Sequence, residues 1–197
     1  MIREQRTDQI YTGIILAGGQ SSRMGKEKGL IRWKGKTLIE HAIAILSPLC
    51  ENMIISANQD HYDSFGYPVV RDLIPGCGPM GGIFSALSKS ETLNNLVIPT
   101  DTPFVTTAIY RHLISHSGTY DVIVPVDHDS FSQPLCAVYS RSVLPAMEGQ
   151  INEGILGFTP LLNKVKINAV QFDSSLDFYN GNTFYNINSP ADLEAIS

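Results

Sequence analysis

The chain has 197 residues, 43% hydrophobic and 17% charged, with a net charge of -5 and a pI of about 5.4. This is enough chain to bury a sizeable core, and the composition excludes intrinsic disorder. An acidic balance without a long Lys/Arg run argues against nucleic acid as a partner, and the apolar runs fall far short of the roughly 20 residues of a membrane helix. The N-terminal "MIREQRTDQIYTG" lacks the apolar stretch of a secretory signal. Cys50, Cys77 and Cys136 are widely spaced, with no CxxC pair, so neither a disulfide framework nor a zinc site is indicated. A soluble cytoplasmic protein is expected.

In chain order, "GIILAG" (13–18), "NMIISAN" (52–58), "YPVVRD" (67–72), "NLVIPTD" (95–101) and "YDVIVPVD" (120–127) are short Val/Ile-rich runs without polar alternation. That is the pattern of parallel strands covered on both faces. Between them, "TLIEHAIAILSPL" (37–49) carries a helical apolar stripe ended by Pro48, and 81–90 and 106–116 have similar spacing. Alternating strands and helices predict an α/β fold, three layers with a mostly parallel, doubly wound (Rossmann-like) sheet. In the last third, 133–141 and 167–173 read as strands, the first alternating enough to lie antiparallel at one edge. Ser189, Pro190 and Asp192 open a final helix over 189–196. With no repeat and no long linker, one domain over 1–197 is expected.

The stretch "LAGGQSSRMGKEKGL" (16–30) leaves the first strand, where an open α/β sheet binds its ligands. Gly18 and Gly19 would let the backbone approach an anion and adopt positive φ. Successive N–H groups there can form an anion-binding concavity, to which Arg23, Lys26 and Lys28 add charge. Spacing excludes two familiar phosphate motifs. A P-loop needs four residues between its glycines and Ser or Thr after the lysine, and a dinucleotide fingerprint needs GxGxxG. Composition alone also leaves a solvated polar turn open, and spacing does not name a reaction.

Taken whole, "LAGGQSSRMGKEKGLIRWKGKTLIEHA" resembles the signature of the bacterial molybdenum cofactor guanylyltransferases. "SAN" (56–58), "VVRD" (69–72), "GPMGGI" (78–83), "PTDTPF" (99–104) and "YNINSPADL" (185–193) follow in that family's order. The resemblance implies a fold of the nucleotidyltransferase (nucleotide-diphospho-sugar transferase, GT-A-like) type. It implies GMP transfer from GTP to molybdopterin or its molybdenum-loaded form, with release of pyrophosphate. Residues 12–105 would form a nucleotide-binding half and 106–197 an acceptor-binding half. The nucleophile, a phosphate oxygen, is already anionic, so positioning and charge neutralisation should carry catalysis rather than a general base.

By resemblance Asp101 holds Mg2+, Lys28 contacts the triphosphate and Arg23 is the loop arginine; these three are the catalytic residues. Leu16, Ala17, Gly18, Gly19, Asn58 and Asp72 contact the nucleotide, together with Lys28 and Asp101. Gly78 and Gly82, in a Gly-rich segment before a helix, and Asn186 and Asn188, alternating on one strand face, would meet the acceptor. Such an enzyme would have transient contacts with proteins of molybdenum insertion and molybdoenzyme maturation, and none with nucleic acid or membrane. Glu27 stands where the family usually has Asp, a mild departure, and the other departures cluster in the acceptor half. Gln133-Pro134 stands where the family often has His-Pro, and "EGQINEGILGFTPLL" (148–162) lacks the family's adjacent arginines. Alternatives are a relative using CTP with molybdopterin, or an NTP with a sugar phosphate, and a non-catalytic nucleotide-binding regulator. LAGG in place of LAAG speaks against CTP, and Asp101 and Lys28 speak against the regulator.

Overall fold

The apolar runs become strands, and the segments between them become the helices that cover those strands. The computed structural model describes residues 10–18, 27–187 and 192. Its strands are β1 (Tyr11–Leu16), β2 (Arg32–Trp33), β3 (Lys36–Thr37), β4 (Asn52–Ser56), β5 (Val69–Val70), β6 (Asn94–Pro99), β7 (Val122–Val126), β8 (Val138–Ser140) and β9 (Ile167–Gln171). Its helices are α1 (Leu38–Leu46), α2 (Gly78–Lys89), α3 (Thr107–Ser115), α4 (Leu144–Asn152) and α5 (Phe158–Lys164). Seven strands form one sheet in the order β5-β4-β1-β6-β8-β7-β9, and β2 and β3 pair as a separate hairpin.

Every residue of β1 is buried, which explains why its sequence does not alternate. Ile14 and Leu16 face Met80 and Ile83 of α2, Met147 of α4 and Leu161 of α5. Tyr11 and Ile15 face the other way, onto Ile39, Ala42 and Leu46 of α1 and Ile109 and Leu113 of α3. Helices thus cover both faces, giving three layers, and each Leu or Ile buried this way stabilises by about 1.5–3 kcal/mol. A reciprocal capping box starts α1: Thr37 accepts from the Glu40 N–H while the Glu40 carboxylate accepts from Thr37. Among the described residues no helix is long and apolar enough to cross a membrane.

Three expectations change. The segment 133–141 does contain an antiparallel strand, but β8 lies inside the sheet, paired with β6 on one side and β7 on the other; the edge is β9, parallel to β7. Local alternation does not determine strand order, and all three residues of β8 are buried. The predicted helix at 81–90 begins earlier, at Gly78, because Pro79 suits its first turn. The hairpin β2–β3 and helices α4 and α5 are additional elements. Lys34 and Gly35 both have positive φ, the conformation a two-residue hairpin turn demands. The predicted final helix at 189–196 lies outside the described residues apart from Asp192.

Candidate active site

Because β1, β4, β5 and β6 run parallel, their carboxyl ends open on the same side of the sheet. The tips are joined by backbone hydrogen bonds. The N–H groups of Ala17 and Gly18 both donate to the Ser56 carbonyl, at 2.9 and 3.1 Å, and Thr100 N–H donates to the Leu16 carbonyl at 3.1 Å. Leu16, Ala17 and Gly18 therefore form a fixed ledge between the ends of β4 and β6. Gly18 does not adopt the positive φ expected of it. A Cβ there would meet nothing nearer than the Ala57 Cα at 3.6 Å, so neither turn geometry nor protein packing demands this glycine. Gly19 and Arg23 lie outside the described residues.

Beyond that ledge the chain returns at Glu27 and a 3-10 turn, Lys28–Leu30. The Lys28 Nζ donates to the Asp101 Oδ2 at 2.9 Å, both side chains being partly buried. The other carboxylate oxygen, Oδ1, is buried and has no hydrogen-bond partner among the described residues. Leaving such an atom unmatched costs about 1–3 kcal/mol or more for a charged group, so its place suits a cation. Among the described residues no group of three His, Cys, Asp or Glu side chains could hold a metal by itself. The helix after Asp101 begins only at Thr107, so Asp101 is not spent as its cap.

Asn58 and Asp72, two residues beyond β4 and β5, hold each other. The Asn58 Nδ2 donates to the Asp72 Oδ2 and the Asp72 N–H to the Asn58 Oδ1, each at 2.9 Å. Helix α2 starts beside them. Gly78, exposed and at positive φ, forms its first residue. Gly82 is buried against the sheet: a Cβ on it would lie 2.8 Å from the Ser56 Oγ and 3.7 Å from the Asp72 Oδ1. Close packing alone accounts for that glycine.

Nearby is an open cavity of about 380 Å³, lined by Pro79, Thr102, Gln133, Leu156, Phe158 and Asn186 among others, with Thr102 next to Asp101 in the chain. It joins residues of the two expected halves. Gln133, which replaces the family's histidine, donates from Nε2 to the Asp127 Oδ2 at 2.8 Å. Asn186 is exposed, and residues 185–187 form no strand of the sheet, contrary to the alternation read from "YNINS". The segment is tied instead by the Ile187 N–H, which donates to the Asp101 carbonyl at 2.9 Å. Ile187 is buried with Trp33 and Leu38, and Trp33 stacks edge-on to Phe104 at 5.5 Å. Asn188 lies outside the described residues.

Sequence reasoning missed Tyr62. It is fully buried, with its hydroxyl 3.1 Å from the Ala17 carbonyl and 3.2 Å from the Glu27 Oε2. Burial first, then the Glu27 charge, push that hydroxyl well above the ordinary tyrosine range, so it stays protonated as a donor. The only local signal is an aromatic residue in a polar turn.

Residues 13–163 match the family described as the MobA-like NTP transferase domain. A probable molybdenum cofactor guanylyltransferase of Flavobacterium johnsoniae is 35% identical over 189 residues, 96% of this chain and 97% of its own. The molybdenum cofactor guanylyltransferase of Vibrio parahaemolyticus is 36% identical over 184 residues, 91% of each chain. Among solved structures, molybdopterin-guanine dinucleotide biosynthesis protein A of Archaeoglobus fulgidus superposes with a TM-score of 0.78 at 26% identity, covering 93% of this chain and 95% of that one. The sheet order, the signature loop and these matches agree: the chain belongs to the MobA-like NTP transferase family, nucleotidyltransferases with a fold of the nucleotide-diphospho-sugar transferase type.

Proposed function

We propose that the protein transfers GMP from GTP to molybdopterin, or to its molybdenum-loaded form, and releases pyrophosphate. The observation that carries this reading is Asp101: one carboxylate oxygen on Lys28, the other buried without a hydrogen-bond partner among the described residues, next in the chain to Thr102 of the cavity wall. A phosphate oxygen of the acceptor attacks the α-phosphorus of GTP as the bond to the bridging oxygen of the β-phosphate breaks. That nucleophile is anionic near neutral pH, so no side chain needs to take a proton. What the site must do is bring two polyanions together and neutralise their charge.

The residues divide that work. Lys28, with Arg23, neutralises the triphosphate. Gly18, with no side chain, lets a purine approach the ledge, where among the described residues the nearest atom to a Cβ would be the Ala57 Cα at 3.6 Å. Asn58 holds the Asp72 Oδ2, and a carboxylate oxygen can accept from the N1–H and amino group of guanine. The ledge atoms of Leu16 and Ala17 would contact the nucleotide, and by resemblance so would Gly19. The cavity between Gln133, Phe158 and Asn186 would take the acceptor, and by resemblance Gly78 and Asn188 would also meet it.

The Asp101 Oδ1 fits a Mg2+ ion, which favours one or two carboxylates and takes its remaining ligands from phosphate oxygens and water. When bound, such an ion supplies charge neutralisation on the phosphates. One domain is proposed to do this, with 12–105 serving the nucleotide and 106–197 the acceptor. Use of the product would involve transient contact with proteins of molybdenum insertion and molybdoenzyme maturation.

The test is Asp101→Asn, read as pyrophosphate release from GTP with molybdopterin and Mg2+. Turnover should fall by about a thousandfold, roughly 4 kcal/mol of lost transition-state stabilisation, while the protein stays folded. A folded, fully active variant would remove Asp101 from the mechanism. Calorimetry of the wild type should show GTP binding more tightly than CTP, UTP or ATP, and a CTP preference would replace the guanylyl reading with the cytidylyl one.

A further inference from the structure

Tyr62 sits in "QDHYDSFGY" (59–67), a stretch polar enough to be read as surface turn, yet its side chain is completely buried. It packs in the core with Ala17, Ile39 and Ala57, and its hydroxyl meets the described ends of the nucleotide loop. The hydroxyl reaches the carbonyl of Ala17, on the ledge where the loop begins, and the carboxylate of Glu27, where the described chain resumes. It also interacts with the backbone N–H of Gly29. Gly29 is held so closely that a Cβ on it would lie 2.8 Å from the Tyr62 Oη. Residues 27 and 29 flank Lys28, whose ammonium is on Asp101. One oxygen atom therefore touches the entrance of the loop, its exit, and both neighbours of the lysine.

We propose that Tyr62 is a positioning residue for the transfer, its hydroxyl tying Ala17 to Glu27 and Gly29 so that Lys28 is set against Asp101 before the nucleotide arrives. The proposal rests on the nucleotide reading of the loop. A tyrosine present only to fill the core would need at most one partner for its hydroxyl, and phenylalanine would fill the same volume. Instead its one proton is shared, as a three-centre hydrogen bond, between two acceptors that belong to opposite ends of the loop. Pinning both ends removes conformations that nucleotide binding would otherwise have to remove, and this strengthens binding without adding a contact to the ligand. Glu27 extends this account. The sequence departs from the family's usual aspartate here, and the longer side chain is the one that reaches the hydroxyl.

Tyr62→Phe keeps the ring and deletes only the oxygen. The dissociation constant and KM for GTP should rise roughly three- to tenfold, the range expected for one lost hydrogen-bonded tie. kcat should fall, the KM for the acceptor should stay as in wild type, and the melting midpoint should drop by no more than about 4 °C. A variant with wild-type GTP affinity and kcat, whatever its melting point, overturns the proposal by reducing Tyr62 to core packing. Glu27→Ala should reproduce the loss of GTP affinity, and the double variant should lose less than the sum, because both cut the same tie. Strict additivity counts against the proposal. If Tyr62→Phe does not fold, Glu27→Ala carries the test alone, and unchanged GTP affinity in it is equally fatal. The affinity comparison uses whichever of GTP, ATP, CTP and UTP the wild type binds best. A wrong nucleotide identity and a wrong role for Tyr62 therefore give different results, and a wild type that binds none of the four refutes both.

Discussion

Replacing Gly82 by alanine separates two reasons for a glycine in α2, close packing and contact with the acceptor. The new Cβ would sit 2.8 Å from the Ser56 Oγ, 3.6 Å from the Leu16 Cδ2 and 3.7 Å from the Asp72 Oδ1. The first contact falls short of ordinary separation by roughly half an ångström, and Ser56, buried at the end of β4, has little space to retreat. Overpacking of this size costs about 1–3 kcal/mol, offset by up to about 1 kcal/mol from the better helix propensity of alanine. A net loss of about 1–2 kcal/mol should lower the melting midpoint of a chain this long by roughly 2–8 °C. Ser56→Ala deletes the clashing oxygen, so in the double variant most of the loss should return. Calorimetric melting of the two single variants and the double variant measures this directly. An unchanged midpoint in Gly82→Ala, with a raised KM for the acceptor that Ser56→Ala does not restore, would refute the packing account and return Gly82 to the acceptor.

Two further outcomes are expected. Burial pushes the Cys50 and Cys136 thiols up to about 12, whereas exposed thiols titrate near about 8.5. With the folded values raised, their contribution to stability is fully present below about pH 8.5 and is lost as pH climbs from there toward 12. Urea midpoints should therefore fall across that window, and Cys136→Ala should flatten the slope; an identical slope in the variant would contradict the linkage. Gln133→Ala removes a side chain that lines the cavity and is held by Asp127. It should raise the KM for the acceptor by roughly two- to tenfold and leave GTP affinity alone, while equal losses for both substrates would place Gln133 outside the acceptor side.

The left side of the sheet was legible because burial on both faces leaves a mark within each strand. Runs such as "GIIL" and "NLVIP" have no polar face to show, and their order with the intervening helices dictates a parallel, doubly wound arrangement. Asn58, Asp72 and Asp101 could be placed for the same reason, since each follows a strand and all those strands point one way. The right side depends on contacts no local pattern records. Helix α4 contains Pro145 and α5 contains Pro160, residues that read as breaks until their positions in the first turns are seen. The place of β8 is decided by its two neighbours across the sheet. Tyr62 was missed because its partner Ala17 lies 45 residues away, so nothing around it in sequence announces its burial.

The interior place of β8 also bears on how the chain could be divided. A boundary near residue 105 separates the expected nucleotide and acceptor functions, but it does not follow a seam of the sheet. β6 comes from before that boundary, and its outer partner, β8, comes from after it. A fragment ending there would present β6, almost wholly buried in the intact chain, as a long apolar edge with open hydrogen-bonding groups. Such an edge pairs with copies of itself. The earlier fragment is thus expected to aggregate rather than survive as a free nucleotide binder, and fusion or splitting of this chain would have to respect the β6–β8–β7 ribbon as one piece.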